Sequence, residues 1–211
     1  MRYYNLNVTK MLSNLPIQYK HWLPLLAVGL VCFLTQFGLS DLHLDRLIFI
    51  RSDIFSNEYW RFFTHSFVHT NTYHLLLNLG GLILLWALHG EYYSWRNIFT
   101  ILLWLAFSTS ITLYWLHPST DYYMGLSAHL HGLFVFGAVL DVYTKRPGGW
   151  LLLIGLSVKL LLENITDNRS TVLLIHADVA TFAHLLGAIS GLCFTLIYWQ
   201  IKLSPKMHKN K

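Results

Sequence analysis

The stretch that decides the fold runs from Met124 to Gly137 and reads MGLSAHLHGLFVFG. It is apolar and interrupted by glycine, and with its flanks it is long enough to cross a bilayer. Within it sit one serine, Ser127, between small residues, and two histidines, His129 and His131. Hydrocarbon is costly for such groups unless they have partners or a task. We read Ser127 as a candidate nucleophile and ask what the rest of the chain brings to it.

The surroundings point to a membrane. The chain has 211 residues, of which 55% are hydrophobic and 12% charged, and its mean hydropathy is +0.45. That balance lies outside soluble-globular usage. Six apolar segments come near the ~20 residues a spanning helix needs. They cover residues 21–39, 73–89, 97–116, 122–140, 149–163 and 179–200. The predicted fold is an all-α bundle of six transmembrane helices in a single domain spanning 1–211. The first segment carries no cleavage site and reads as a retained helix. The loop 41–72 mixes charges with Phe49, Trp60 and Phe63, a composition suited to lying at the interface.

Net charge is +5, with the cations gathered toward the termini, so they read as topology signals rather than a nucleic-acid footprint. With the N-terminus inside, ten Lys and Arg fall in inner segments and four in outer ones. Both termini are therefore expected on the cytoplasmic side. Lys159 lies inside the fifth segment, four residues before Glu163, and the two can pair on one helix face. Cys32 and Cys193 lie in apolar segments and read as small core residues. No CxxC is present.

On this topology the second, fourth and sixth segments run from outside to inside. Asn78, Ser127 and His184 then lie at one depth, roughly 7–8 Å below the outer boundary at 1.5 Å per residue. A serine hydroxyl needs a base, and a neutral histidine is the usual one. The tetrahedral intermediate that follows needs hydrogen-bond donors. Asn78 supplies an amide, His74 an imidazole one turn earlier, and Ser127 its own backbone N–H. No acid lies at that depth in the sixth segment, so the expectation is a Ser127–His184 dyad. Gly187 and Gly191, with Ala128, Gly125 and Gly132 on the fourth segment, form small faces that let two helices approach closely.

At these residues the sequence resembles the rhomboid family of intramembrane serine proteases. The matching pieces are Gly125-Leu126-Ser127, Ala183-His184 followed by Gly187 and Gly191, His74-x3-Asn78, and Trp60-Arg61. Within that family the match looks closest to rhombosortases, compact bacterial members that process a C-terminal GlyGly-CTERM sorting tail. Thr64 to Asn71, Leu130-His131-Gly132, and Lys159 with Glu163 carry this closer likeness. The resemblance implies Ser127 as nucleophile, His184 as general base, and His74, Asn78 and the Ser127 amide as the oxyanion hole. It implies no cofactor and no metal. It also implies a multi-pass protein of a bacterial inner membrane with its site toward the periplasm. The substrate would be membrane-anchored, with a C-terminal helix in the lipid bilayer. Two positions depart from the family: Ala128 follows the serine where glycine is usual, and His131 stands where many members have tyrosine. His131 is expected to support His184, and His129 to point elsewhere.

Two other classes compete with this reading. His65, His69, His74, His129 and His131 are many imidazoles for one half of a bundle, which suits a metal- or haem-binding protein. HExxH and an accompanying carboxylate cluster are absent, which argues against a zinc protease. A rhomboid-like pseudoenzyme would bind helices without cutting them, and retention of Ser127 and His184 argues against it.

Overall fold

The computed structural model describes residues 15–165, 169–175 and 180–202. Arg2, Lys10, Lys206, Lys209 and Lys211, half of the inner charge tally, lie outside the described residues, as does Val179, where the sixth segment is expected to begin.

Six long helices are present among the described residues. They are α1 (Tyr19–Gly38), α5 (Thr72–His89), α6 (Trp95–Leu116), α7 (Ser127–Tyr143), α8 (Gly149–Ile165) and α10 (Thr181–Lys202). Four of them, α1, α5, α6 and α10, are long and apolar enough to cross a membrane; α7 is apolar but shorter. Polar residues start two of them: Asn71 Oδ1 accepts from His74 N at 2.9 Å to open α5, and Ser94 Oγ from Asn97 N at 3.4 Å to open α6.

α7 is the central helix. Its buried residues (Ala128, Leu133 and Phe136 among them) are sealed from solvent, and α5, α6, α8 and α10 pack around it. The closest approach is to α10. A Cβ on Gly187 would collide with the backbone of Ala128, and one on Gly191 with the backbone of Gly132. The small faces thus bring two main chains together, as small-xxx-small faces do.

The segment before α5 is built rather than loose. It holds α2 (Asp41–Asp45), β1 (Phe49–Ile50), α3 (Arg51–Phe55), α4 (Arg61–Thr64) and a 3-10 turn, His65–Phe67. Phe49, Ile54 and Phe62 turn inward and are buried, while Phe55, Tyr59 and Trp60 stay exposed. Arg61 is 4% exposed and pairs with Asp53 at 2.8 Å and Glu58 at 2.6 Å. It also donates to the carbonyls of Asp45 and Ile48. Arg51 donates to the carbonyls of Leu113, Tyr114 and His117, satisfying the open C-terminal end of α6.

Two expectations are corrected. The fourth segment does not begin its helix at Tyr122. Tyr122–Tyr123 form β2, antiparallel to β1 with Phe49 opposite Tyr123. Aromatic residues favour such a strand, and Gly125 then turns the chain with φ +111°, a conformation open to glycine and strained for other residues. Its N–H donates to His65 O at 3.0 Å, and the helix starts only at Ser127. The second correction concerns Cys193, which is exposed on α10, while Cys32 is buried as expected. The connection from 164 to 178 also carries a short helix, α9 (Arg169–Ile175). It lies over the start of α5, where Thr70 Oγ1 and Asn71 Nδ2 donate to the carbonyls of Ile175 and Leu174.

Candidate active site

Because α7 begins at Ser127, the serine sits at a helix N-terminus and not five residues into a helix. Leu126 provides no side-chain cap. The first backbone N–H groups of a helix lack carbonyl partners within it and lie at the positive end of its dipole. The close α7–α10 contact then decides what faces the hydroxyl. His184 Nε2 lies 2.9 Å from Ser127 Oγ, and His184 is 7% exposed.

The other ring nitrogen of His184, Nδ1, is 3.2 Å from Glu163 Oε2 on α8. Glu163 Oε1 is 2.6 Å from Lys159 Nζ, and the same Nζ is 3.0 Å from His131 Nε2. His131 Nδ1 is 2.7 Å from the carbonyl oxygen of Ser127. The His131 ring stacks on His184 with centroids 4.4 Å apart and planes 15° apart.

These partners set where the protons sit. A carbonyl only accepts, so His131 carries its proton on Nδ1 and offers Nε2 to the lysine. An ionised carboxylate only accepts, so His184 carries its proton on Nδ1 and offers a lone pair at Nε2 to the serine. The network therefore runs from Ser127 through His184, Glu163, Lys159 and His131 back to Ser127.

Asn78 and His74 stand on the facing side. Asn78 is 4% exposed, and its Nδ2 donor has no partner among the described residues. A buried amide donor left open is uncommon. His74 Nδ1 lies 3.4 Å from the Thr70 backbone nitrogen and 3.2 Å from Thr70 Oγ1; the tautomer that accepts the backbone N–H carries its proton on Nε2. That nitrogen lies beside Gly125, where an added Cβ would fall 2.8 Å from it. Ser127, His184, Asn78, His74 and Glu163 all line one cavity of about 810 Å³. Its remaining walls are largely apolar, from Leu77 and Leu84 on α5 and from Leu151, Leu152 and Leu156 on α8.

His131, Glu163 and His184 are the one cluster among the described residues with enough ligating groups for a metal ion. Lys159 Nζ already stands against Glu163 and His131, two of the three, as a cation does. Two of the other histidines are engaged elsewhere: His129 Nε2 with Ser66 Oγ at 3.0 Å and His65 Nε2 with Ser110 Oγ at 2.7 Å. His129 thus faces away from the cavity. Trp60 and Arg61 do not reach the site; Trp60 Nε1 donates to Arg46 O, and Arg61 organises the loop.

Sequence reasoning placed Ser127, His184, Asn78, His74 and His131 in one region, and the structure brings them together. It missed the carboxylate on His184. The signal lies in the spacing of Lys159 and Glu163, whose pairing on one helix face leaves the second carboxylate oxygen unaccounted for.

A profile of the Rhomboid domain matches residues 56–201. The match covers most of the chain and every residue of the cavity's polar end. Comparison with curated proteins finds no match.

Proposed function

Because the chain belongs to the rhomboid family of intramembrane serine proteases, we propose that it is a serine endopeptidase acting within the membrane, with Ser127 as nucleophile and His184 as general base. The observation that carries this reading is the 2.9 Å contact between Ser127 Oγ and His184 Nε2, made across two helices at the end of a cavity that also holds the unpartnered Asn78 amide.

The geometry supports the following reaction. Ser127 Oγ attacks the scissile carbonyl carbon while its proton passes to His184 Nε2. The carbonyl π pair moves onto oxygen, and the Asn78 Nδ2–H, the His74 Nε2–H and the Ser127 backbone N–H receive that oxyanion. Collapse expels the amine, which takes the proton from His184 Nε2. Water then attacks the acyl-enzyme with His184 again as base, releasing the acid and restoring the hydroxyl.

The protein is a multi-pass membrane protein. We assign it six spans, with α7 and α8 crossing alongside the four longer helices, and both termini on the cytoplasmic side of a bacterial inner membrane. The site then opens toward the periplasm. The substrate is a membrane-anchored protein whose C-terminal helix approaches between α5 and α8, where the cavity walls are apolar. The resemblance to rhombosortases names its class: an exported protein with a C-terminal GlyGly-CTERM tail.

Co-expression with a GlyGly-tailed reporter tests both levels. Wild type should release the reporter and Ser127→Ala should not. Cleavage that persists in the alanine variant sinks the nucleophile assignment. Wild type that ignores this reporter but cuts other helical substrates sinks the substrate class alone.

A further inference from the structure

We propose that Glu163 is a positioning residue for this reaction: it holds His184 through Nδ1, so that Ser127, His184 and Glu163 form a triad drawn from α7, α10 and α8. The proposal rests on the reading of Ser127 and His184 given above.

The argument starts from the tautomer. A histidine can take a proton from serine only if its facing nitrogen is bare, and a ring free to choose carries its proton on either side. Glu163 Oε2, 3.2 Å from Nδ1, removes the choice, because a carboxylate stabilises a proton there and nowhere else on the ring. It also opposes the positive charge that His184 acquires when Ser127 attacks, an attraction strengthened where water is scarce. Glu163 keeps its own charge throughout; it orients and stabilises the imidazolium without taking the proton. A distance of 3.2 Å is long for such a bond, and catalytic hydrogen bonds commonly shorten once substrate is bound.

A carboxylate in a largely apolar cavity needs its own counter-charge, or it protonates and loses this role. Lys159 supplies it at 2.6 Å on the second oxygen, one helical turn away. Among the described residues, the titratable and charged groups facing Glu163 are Lys159 on its own helix, His184 on α10 and, through Lys159, His131 on α7. His131 closes the network on the Ser127 carbonyl and lies flat against His184. The orientation of the base is thus held from the edge by Glu163 and from the face by His131.

The test compares wild type, Ser127→Ala, His184→Ala, Glu163→Gln and Glu163→Asp, purified in detergent, on one cleavable reporter. Three quantities are read: kcat and KM separately, the thermal midpoint, and the proton spectrum of histidine-labelled protein. An imidazole N–H bonded to a carboxylate resonates far downfield, and the His184 signal is identified by its loss in His184→Ala. We expect Glu163→Gln to lower kcat by roughly 10²- to 10⁴-fold, the scale of a carboxylate-to-amide exchange behind a catalytic histidine. KM and the thermal midpoint should stay unchanged, the downfield signal should vanish, and Glu163→Asp should recover part of kcat. Wild-type kcat in Glu163→Gln, with Ser127→Ala and His184→Ala inactive, overturns the triad alone. A joint loss of KM and thermal midpoint with the downfield signal intact also overturns it, leaving a structural ion pair. Inactivation of wild type by a divalent chelator overturns it in favour of a cation on the same residues. Cleavage by Ser127→Ala is different, since it removes the reading on which the triad rests.

Discussion

Replacing Gly187 by alanine puts the α7–α10 approach to the test. The new Cβ would lie 2.7 Å from the carbonyl carbon of Ala128 and 2.9 Å from its Cα, with the carbonyl oxygen closer still. All three are backbone atoms, so no side chain can rotate away. Apolar carbons rest at about 3.5 Å or more, so the carbon contact alone requires the helices to part by at least roughly 0.8 Å at this level, and the closer carbonyl oxygen requires more. Gly187 is three residues from His184, and the displacement carries into the Ser127–His184 contact. From 2.9 Å that contact opens to about 3.7 Å or more, beyond hydrogen-bond reach. Overpacking of this kind costs about 1–3 kcal/mol of stability, and a misplacement near 1 Å costs about 100-fold in rate. Gly80→Ala is the control, since a Cβ there meets nothing within 4 Å. Reporter cleavage in proteoliposomes gives kcat/KM, and thermal unfolding in detergent gives stability. Gly187→Ala should lose roughly two decades of kcat/KM and Gly80→Ala should lose none. If Gly187→Ala keeps activity within threefold of wild type, backbone contact between these helices does not set the Ser127–His184 geometry.

Other perturbations separate the remaining parts. Asn78→Ala should lower kcat by about 10²- to 10³-fold with KM little changed, since an oxyanion donor acts in the transition state; a change confined to KM would place Asn78 in binding instead. Arg61→Met should cost about 1–3 kcal/mol, chiefly by stripping the Asp45 and Ile48 carbonyls of their donor, since Asp53 and Glu58 are about a third exposed and water reaches them; it is read as a lowered thermal midpoint and new proteolysis within residues 45–64. His69 is 3% exposed with neither ring nitrogen partnered among the described residues. Burial, and then the neighbouring His74, push its imidazole down from 6.5 to about 3. The neutral form is therefore the folded form, and its contribution to stability is complete above pH 6.5 and falls away as the pH drops toward 3. His69→Leu should flatten that acid limb in a thermal-midpoint series, and an unchanged limb would assign it to other groups.

What could be read from the chain divides along a physical line. Helix existence follows from apolar length, and the segments at 73–89 and 97–116 fall within two residues of α5 and α6. Ser127, Asn78 and His184 do line one cavity, but the rise count that puts them at one depth starts the fourth helix at Tyr122, five residues before its observed beginning. The start of α7 was misjudged because Tyr122 and Tyr123 are apolar enough to extend a hydropathy window, while their pairing with Phe49 and Ile50 is a non-local event across some seventy residues. The role of Glu163 is illegible in the sequence for a different reason. Rise per residue says nothing about which way a helix is rotated, and the acid stands on α8 while the histidine it meets stands on α10. The i, i+4 spacing with Lys159 then gave the carboxylate an explanation that looked sufficient. A carboxylate has two oxygens, however, and a lysine on one leaves the other with lone pairs that an apolar cavity makes costly to strand. Asking what satisfies the second oxygen narrows the search to donors near the end of α8. His184, in the first turn of α10, is the donor the structure places there.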